Sequence, residues 1–371
     1  MAQVAEVVSD VAAPAASRAS VEAGTGAHEE EGPIDMDEAA SVHAGERFLV
    51  TGASGCIGAW VVRLLLDEGT AVVASDLRAD LRRFELISHP RRGEEVDFVA
   101  LDVTSTEAVA QVVRDRAITH IVHLAGLQLP LCAANPPLGA AVNVVGTVNV
   151  FEAVRSSGRR VGIAYASSAA VFGSSSFYSS GVVADRSPLR PDSHYGVYKV
   201  ANEGTARIYS MSEGIGSVGL RPFVVYGPGR DQGMTSDLTK ALLAAAARVP
   251  FRIAFGGNVL ATYAPDCARA FIGAARAAAG SGDALCLNVP GARVGVAAFV
   301  ELIERIAPEA AGLVSFERKP LLLPALLEAP ALGSLLGEAL DRPIEEGARR
   351  TVEHFEAALA AGLLAPPEPS R

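Results

Sequence analysis

A tyrosine and a lysine stand four residues apart, as Tyr195 and Lys199, at the start of a stretch whose residue pattern predicts a helix. Side chains at this spacing share one helix face, so an ammonium would lie beside a phenol. We expect that charge to lower the pKa of Tyr195 and make it an acid or base near neutral pH. Ser167 and Ser168 end a predicted strand upstream, where a hydroxyl could hold a substrate oxygen. Because Tyr-x-x-x-Lys alone is common on protein surfaces, its meaning depends on the neighbouring signals.

A glycine-rich segment gives the second chemical signal. Thr51-Gly52-Ala53-Ser54-Gly55-Cys56-Ile57-Gly58 lies between a short apolar run and an apolar stretch of helical length. Glycines in this context allow a tight turn, close approach of a pyrophosphate, and close packing of helix on strand. Asp76 ends the next apolar run, where a carboxylate can bind the ribose hydroxyls of adenosine and repel a 2′-phosphate. The segment therefore predicts binding of NAD rather than NADP, a preference that Arg78 could soften.

The elements that must position these residues alternate along the chain. Short apolar runs occur at 47–50, 71–74, 96–99, 121–124, 161–164 and 216–220, and helical stretches occur at 57–66, 106–116, 138–156 and 195–212. This alternation predicts an α/β fold with a doubly wound parallel sheet and a ligand crevice at the carboxyl ends of its strands. We interpret residues 1–45 as a disordered tail and 46–222 as an NAD-binding Rossmann domain, with later strand contributions from about 251–290. Residues 223–371 are then mostly a smaller C-terminal substrate-binding lobe.

Composition restricts the classes of function. The 371 residues carry a net charge of −10, which disfavours nucleic-acid binding because such a surface repels phosphate backbones. The four cysteines are far apart and form no C-x-x-C pair, and no grouping of His, Asp and Glu has ligand spacing, so we predict no metal. No apolar run approaches about 20 residues, and the N-terminus lacks the pattern of a secretion signal. We therefore expect a cytoplasmic protein without membrane contact.

The motifs in order resemble a known family. They are Thr51-Gly52-x-x-Gly55-x-x-Gly58, Ser167-Ser168-x-x-Val171-Phe172-Gly173, Tyr195-x-x-x-Lys199 and Arg221-Pro222-Phe223-x-Val225-Tyr226-Gly227-Pro228-Gly229. Together they resemble the extended short-chain dehydrogenase/reductase family, the NAD-dependent epimerase/dehydratase group that includes UDP-glucose 4-epimerase. The resemblance runs from about Phe48 to Ala268 and is vague beyond that point.

The resemblance implies NAD as cofactor, a homodimer, and specific site residues. Ser168, Tyr195 and Lys199 would be catalytic, and Ser168, Tyr195 and Arg230 would contact the substrate. The implied cofactor-binding residues are Gly52, Gly55, Cys56, Ile57, Gly58, Asp76, Leu77, Asp102, Val103, Leu124, Ala125, Gly126, Asn143, Tyr195, Lys199 and Phe223. Asp102 has an alternative reading, since an acid at a strand end is often a helix cap.

The sequence departs from the family pattern at the substrate end. Val224 and Val259 stand where the family usually has an asparagine and an arginine for a sugar-nucleotide diphosphate, although Arg230, Arg318 or Lys319 could compensate. Ala169 and Ala170 replace the acidic pair of the dehydratases, which disfavours dehydration.

These features favour one function and leave two others open. The leading prediction is an NAD-dependent epimerase of a sugar or nucleotide sugar, with transient hydride transfer to NAD and Tyr195 as general base. The alternatives are an NAD-dependent dehydrogenase or reductase of a sugar, sugar acid or polyol, and a non-catalytic NAD-binding sensor. Fold alone does not decide among them.

Overall fold

The apolar runs predicted as strands form one parallel sheet. The computed structural model describes residues 45–88, 96–179, 181–321, 324, 326–337, 340 and 342–367, so the tail predicted over residues 1–45 lies outside the described residues apart from Gly45. The described strands are β1 (Arg47–Thr51), β2 (Ala71–Asp76), β3 (Asp97–Ala100), β4 (His120–His123), β5 (Gly162–Ala166), β6 (Val182–Val183), β7 (Ser217–Arg221), β8 (Val224–Tyr226), β9 (Phe251–Ile253), β10 (Asn258–Tyr263), β11 (Ala284–Asn288), β12 (Ala292–Gly295), β13 (Val314–Phe316) and β14 (Leu326–Leu327).

Helices separate these strands. They are α1 (Cys56–Asp67), α2 (Arg82–Ser88), α3 (Thr106–Asp115), α4 (Leu129–Ala134), α5 (Pro136–Ala140), α6 (Gly146–Ser157), α7 (His194–Glu213), α8 (Asp237–Ala247), α9 (Ala264–Ala278), α10 (Val296–Ile306), α11 (Pro330–Leu336) and α12 (Ile344–Ala360). A π-helical turn over Ala141–Val145 joins α5 to α6, and a 3₁₀ turn over Ala169–Phe172 follows β5.

The central sheet has seven strands in the order β3-β2-β1-β4-β5-β7-β11, and every pair is parallel. Phe48, Leu49 and Val50 on β1 are fully buried, as expected for a strand covered by helices on both faces. The strand order reverses between β1 and β4, which opens a crevice at their carboxyl ends. This arrangement confirms the predicted doubly wound parallel sheet.

The later half of the chain forms a second, smaller core. Strands β8, β10 and β12 form a separate sheet, with β8 parallel and β12 antiparallel to β10. Leu238 and Leu242 of α8, Phe299 of α10 and Phe355 of α12 are buried together with Val224 of β8. Strand β11 returns from this half to the edge of the central sheet. The boundary between the two regions is therefore crossed more than once.

The segment Pro136–Ser157 qualifies as a membrane span by length and composition alone, which the sequence analysis did not anticipate. Half of its most apolar window is buried inside the molecule, however. Val150, Phe151 and Val154 of α6 belong to the same buried cluster as Val109 and Val113 of α3. A core helix passes the same length test, so this helix is weak evidence for a membrane.

Candidate active site

The glycine-rich loop between β1 and α1 has no room for a side chain at Gly52 or Gly58. Gly52 has φ of +74°, and a Cβ there would lie 2.6 Å from the backbone nitrogen of Ala125. A Cβ on Gly58 would overlap the carbonyl oxygen of Gly52, so only glycine lets α1 begin this close to the loop. The first turn of α1 therefore presents its free N–H groups to the crevice, as anion binding requires.

The carboxylates of Asp76 and Asp102 line the crevice at the carboxyl ends of β2 and β3. Asp76 accepts hydrogen bonds from the backbone N–H groups of Ser54 (3.1 Å) and Leu77 (2.8 Å), which fix it beside the glycine loop. Asp102 instead accepts from the N–H and hydroxyl of Thr104, so its carboxylate closes a local turn. Both residues line the crevice, but only Asp76 is tied to the glycine loop.

Tyr195 and Lys199 occupy one face of α7, and the Lys199 nitrogen lies 5.5 Å from the centre of the Tyr195 ring. The side chain of Ser168 lies near the phenol of Tyr195 and favours its charged form, while its Oγ accepts the backbone N–H of Ala170 at 3.2 Å. Burial lowers the pKa of Lys199 to about 8. These three side chains line the same crevice as the glycine loop.

The expectation that Lys199 would bring the Tyr195 pKa below its usual value is wrong for this arrangement. Burial raises the pKa of Tyr195, and the nearby Ser168 side chain and the charge of Arg230 only partly offset that rise. The physical reason is desolvation, which disfavours a phenolate away from water. Tyr195 is therefore a neutral phenol at neutral pH unless further positive charge reaches it.

Asn143 lies in the π-helical turn and is fully buried. Its Nδ2 donates to the carbonyl oxygens of Gly139 (3.0 Å) and Leu127 (3.2 Å). Within the described part of the chain, its Oδ1 has no hydrogen-bond partner. A Cβ on Gly126 would lie 2.7 Å from this Oδ1 and 3.5 Å from the Lys199 nitrogen, so the two polar groups border the same small space. π-Helical turns often mark functional positions.

The buried ring of His123 links β1 to the helix that carries Asn143. Its Nδ1 lies 2.7 Å from the Thr51 hydroxyl and its Nε2 lies 3.1 Å from the Thr147 hydroxyl, which itself donates to the Asn143 carbonyl. Burial lowers the pKa of His123 to about 3, so the ring stays neutral. These contacts give His123 a structural role. His194 is exposed at the first residue of α7, where its ring stacks on that of Tyr198.

The crevice is a cavity of about 400 Å³, and every site residue that the sequence predicted lines it. The structure adds lining residues that were not among the predicted site residues, although some of them, such as Ser167, belong to the motifs from which the site was predicted. They are Thr51, Ser75, Leu101, Leu127, Gln128, Leu129, Pro130, Val142, Ala166, Ser167, Ala169, Ala170, Pro222, Val225, Met234 and Thr235. Most of them follow strand ends or border predicted motifs, so their nearness to those motifs was the available signal.

The substrate end of the cavity contains one notable cation. Among the described residues, the Nε of Arg230 is buried and has no hydrogen-bond partner, while its Nη2 lies 3.4 Å from the Thr235 hydroxyl. Val224 and Val259 are fully buried in the second core and contribute nothing polar to the cavity. Arg318 and Lys319 are exposed and do not line it. Of the three possible replacements, the structure therefore places only Arg230 at the cavity.

An ion pair connects the two sides of the crevice near the glycine loop. Arg83 of α2 binds Asp231 through two hydrogen bonds, of 2.9 and 3.1 Å, and its Nη1 donates to the Ser54 carbonyl. Asp231 lies in the loop between β8 and α8, one residue after Arg230. Arg83 and Arg230 both lower the pKa of Cys56 in the first turn of α1, although burial raises it to about 11 overall.

These residues fit a bound dinucleotide. The Gly52–Gly58 cradle gives a pyrophosphate access to backbone N–H groups, Asp76 offers a ribose acceptor, and the buried Oδ1 of Asn143 lacks a partner. The described residues include no group of three or more His, Cys, Asp or Glu side chains that could hold a metal ion.

Comparison with known proteins agrees with this geometry. The family model "NAD dependent epimerase/dehydratase family" matches residues 48–287. UDP-glucose 4-epimerase of Mycolicibacterium smegmatis is 32% identical over 53% of this chain and 63% of its own length. UDP-glucuronate 4-epimerase 5 of Arabidopsis thaliana is 31% identical over 62% of this chain and 54% of its own length. The chain thus spans less than two thirds of these curated relatives.

Solved structures match over a longer range. The Thermus thermophilus UDP-glucose 4-epimerase complex with NAD has a TM-score of 0.69 and 26% identity, covering 84% of this chain and 99% of the other. MoeE5 in complex with UDP-glucose and NAD has a TM-score of 0.68 and 25% identity, covering 85% of this chain and all of the other. This match confirms the family that the motifs predicted. Because the family model matches more than half of the residues, the chain belongs to the NAD-dependent epimerase/dehydratase family.

Proposed function

We propose that this protein is an NAD-dependent epimerase that acts on a UDP-sugar. The observation that carries the proposal is the meeting of Ser168, Tyr195 and Lys199 with the glycine cradle in one cavity. The names of the relatives, UDP-glucose and UDP-glucuronate 4-epimerase, support both the reaction and the substrate class.

The chain's own residues would handle the proton. When bound, NAD would supply a hydride acceptor for the carbinol carbon and a positive charge near the site. Tyr195 would accept the proton of the reacting hydroxyl as general base and return it as acid, while Ser168 would hold the substrate oxygen. Lys199, on the next turn of α7, would bind the nicotinamide ribose and keep a cation beside the phenol.

Arg230 would bind a negatively charged group of the substrate. Its buried Nε lacks a partner in the described structure, and an unpaired buried guanidinium donor is costly. A phosphate or carboxylate oxygen would satisfy it with a charge-assisted hydrogen bond. Arg230 and Lys199 are the cationic side chains that line this cavity within the described ranges, so a UDP-sugar would depend strongly on Arg230.

The experiment that tests the proposal is turnover on a substrate panel. The purified protein with NAD would receive UDP-glucose, UDP-glucuronate, free sugars and sugar acids. Product stereochemistry would be followed by NMR and cofactor reduction by NADH absorbance. We expect an epimerised UDP-sugar without net NADH. No epimer from any UDP-sugar, with NADH accumulating on a free sugar or sugar acid, would overturn the proposal.

The second candidate is a dehydrogenase of a sugar, sugar acid or polyol. Buried Val224 and Val259 favour it, because a diphosphate needs polar or cationic partners that these valines do not provide. A non-catalytic NAD-binding sensor has less support, since the tyrosine and lysine are both present and adjacent. The same panel separates all three, since a sensor would bind NAD without any turnover.

Cofactor choice should depend on Asp76. Replacing Asp76 by serine should reduce the preference for NAD over NADP by roughly thirtyfold, equivalent to about 2 kcal/mol, because a charged ribose acceptor is lost. Titrating both cofactors by fluorescence measures this preference. Asp80→Ser is the matched control, because Asp80 pairs with Arg82 outside the cavity. An unchanged preference in Asp76→Ser would contradict the assignment.

We also propose that the protein is a homodimer. Val197, Ile208 and Met211 are 50%, 54% and 75% exposed on one face of α7, and Leu138 of α5 and Val145 of the π-helical turn are also exposed. Burying such an apolar stripe against a second copy would remove it from water. Ile208→Glu with Met211→Glu should yield monomers in sedimentation velocity. Leu285→Glu, at another exposed apolar position, should leave the mass unchanged. A monomeric parent protein would contradict this proposal.

A further inference from the structure

Helix α7 carries a third ionisable side chain, that of Glu203, on the face that holds Tyr195 and Lys199. Glu203 follows Lys199 by four residues, so the three side chains lie in a row along the helix. Glu203 is only 7% exposed and does not line the candidate active site. A buried carboxylate is costly unless it is paired and hydrogen-bonded, so its partners indicate its purpose.

Glu203 joins two strand ends through a buried network. Its Oε1 accepts the Ser167 hydroxyl at 2.6 Å and Arg221 Nε at 2.7 Å, and its Oε2 accepts Arg221 Nη2 at 2.7 Å. Ser167 follows β5 and Arg221 ends β7, and both are at most 3% exposed. Arg221 also donates from Nη1 to the Asp185 carbonyl at 2.8 Å. The network thus links α7 to two strands of the central sheet.

Both chain neighbours of Ser168 are fixed by this network or directly beside it. On one side, the Ser167 side chain is bound by Glu203. On the other, the backbone N–H of Ala169 donates to the carbonyl of Pro222, the residue after Arg221, at 3.1 Å. Ser168 lies between these two attachments, and its side chain lines the same cavity as that of Tyr195. The Ser168 Oγ itself accepts the backbone N–H of Ala170 at 3.2 Å, so the position of the hydroxyl depends on these attachments on either side of it.

We propose that Ser167, Glu203 and Arg221 form a positioning unit that holds the Ser168 hydroxyl against the Tyr195 phenol. The proposal rests on the proposed function, in which those two hydroxyls handle the substrate proton. A stabilising role alone explains the network poorly, because buried ion pairs often add little stability compared with apolar residues of the same size. None of the three residues would act chemically on the substrate.

Several groups face the Tyr195 phenol besides Ser168. Lys199 lies over its ring, Arg230 faces it from the loop after β8, and Cys132 faces it from α4. Replacing Ser167 by alanine removes none of these groups. Any change in the Tyr195 pKa of that variant would therefore come from the Ser168 side chain, which lowers this pKa.

A double-mutant cycle on the NAD-loaded protein tests the proposal. Ser167→Ala should lower kcat about tenfold with little change in KM. A tenfold loss corresponds to the free energy of one hydrogen bond to a charged acceptor. The acid limb of its pH profile should move to higher pH. In a Ser168→Ala background, adding Ser167→Ala should have no further effect. Additive losses in the double variant, or an unmoved acid limb in Ser167→Ala, would overturn the proposal.

Two further variants separate positioning from stability. Glu203→Gln keeps an acceptor for Ser167 and should retain the parental pH profile, whereas Glu203→Leu should lose it. Asp266→Asn breaks another buried pair, with Arg342, away from the cavity. It should lower Tm without moving the acid limb. A shift of the limb in Asp266→Asn would mean that lost stability alone explains the effect.

A readout without turnover distinguishes this proposal from the proposed function. The phenolate absorbance of the NAD-loaded protein, minus that of its Tyr195→Phe variant, reports the Tyr195 pKa directly. If no sugar is epimerised, the proposed function fails, yet Ser167→Ala should still raise this pKa. If epimerisation occurs but the pKa does not move, the positioning unit is wrong and the proposed function stands.

Discussion

Replacing Tyr195 by phenylalanine should lower kcat by about a thousandfold, the typical worth of a positioned acid–base group, while NAD affinity changes little. The substitution removes only the phenolic oxygen, and with it the proton acceptor of the proposed reaction beside Ser168. The ring that lies beside Lys199 remains. Turnover of a UDP-sugar and NAD titration by fluorescence measure the two quantities separately.

Tyr198→Phe is the matched control for that variant. Tyr198 lies one turn further along α7, does not line the cavity, and donates its hydroxyl to the Pro136 carbonyl at 2.9 Å. Its loss should cost some stability and leave kcat within about twofold, as expected for one neutral hydrogen bond outside the site. If Tyr195→Phe retained parental kcat, Tyr195 would not be the general base.

Adding a methyl group at Gly58 should weaken NAD binding by about a hundredfold. The Cβ would overlap the Gly52 carbonyl and lie 2.8 Å from the Ala53 Cα, both backbone atoms that cannot rotate away. The first turn of α1 would have to move off the loop, carrying its N–H groups away from a pyrophosphate. Overpacking of this kind costs about 1–3 kcal/mol, and isothermal titration with NAD would detect the loss.

Gly204→Ala gives the comparison for Gly58→Ala. A Cβ on Gly204 meets no atom within 4 Å, and its helical position favours alanine. That variant should bind NAD like the parent and melt no lower. Parental NAD affinity in Gly58→Ala would show that the loop between β1 and α1 does not hold the pyrophosphate.

Much of the sheet was predictable because parallel strands covered on both faces read as continuous apolar runs. Strand β1 and helix α3 agree with their predicted ranges to within a residue. The two-residue pair β6 and β14 could not be predicted, since Val182–Val183 and Leu326–Leu327 join segments far apart in the chain. Pairing of such short strands is decided by tertiary contacts rather than by local pattern.

The candidate site was predictable where its residues belong to short sequence motifs. Glycine spacing located the cradle, and the four-residue interval between Tyr195 and Lys199 placed both side chains on one face. The Tyr195 pKa was not predictable, because desolvation depends on the three-dimensional surroundings that bury the ring. The ion pair between Arg83 and Asp231 was not predicted either, since no local pattern connects positions so far apart in the sequence.

The π-helical turn at Asn143 makes the number of residues in this segment as important as their identity. A π-helical turn holds one residue more than an α-helical turn, so deleting one residue from Ala141–Val145 would restore regular winding and leave α6 on its present face. Val150 and Val154 would stay packed against α3, whereas the widened turn that places Asn143 beside Gly126 would be lost. A chain one residue shorter here would therefore keep its core and lose the polar group that Asn143 brings to the cavity.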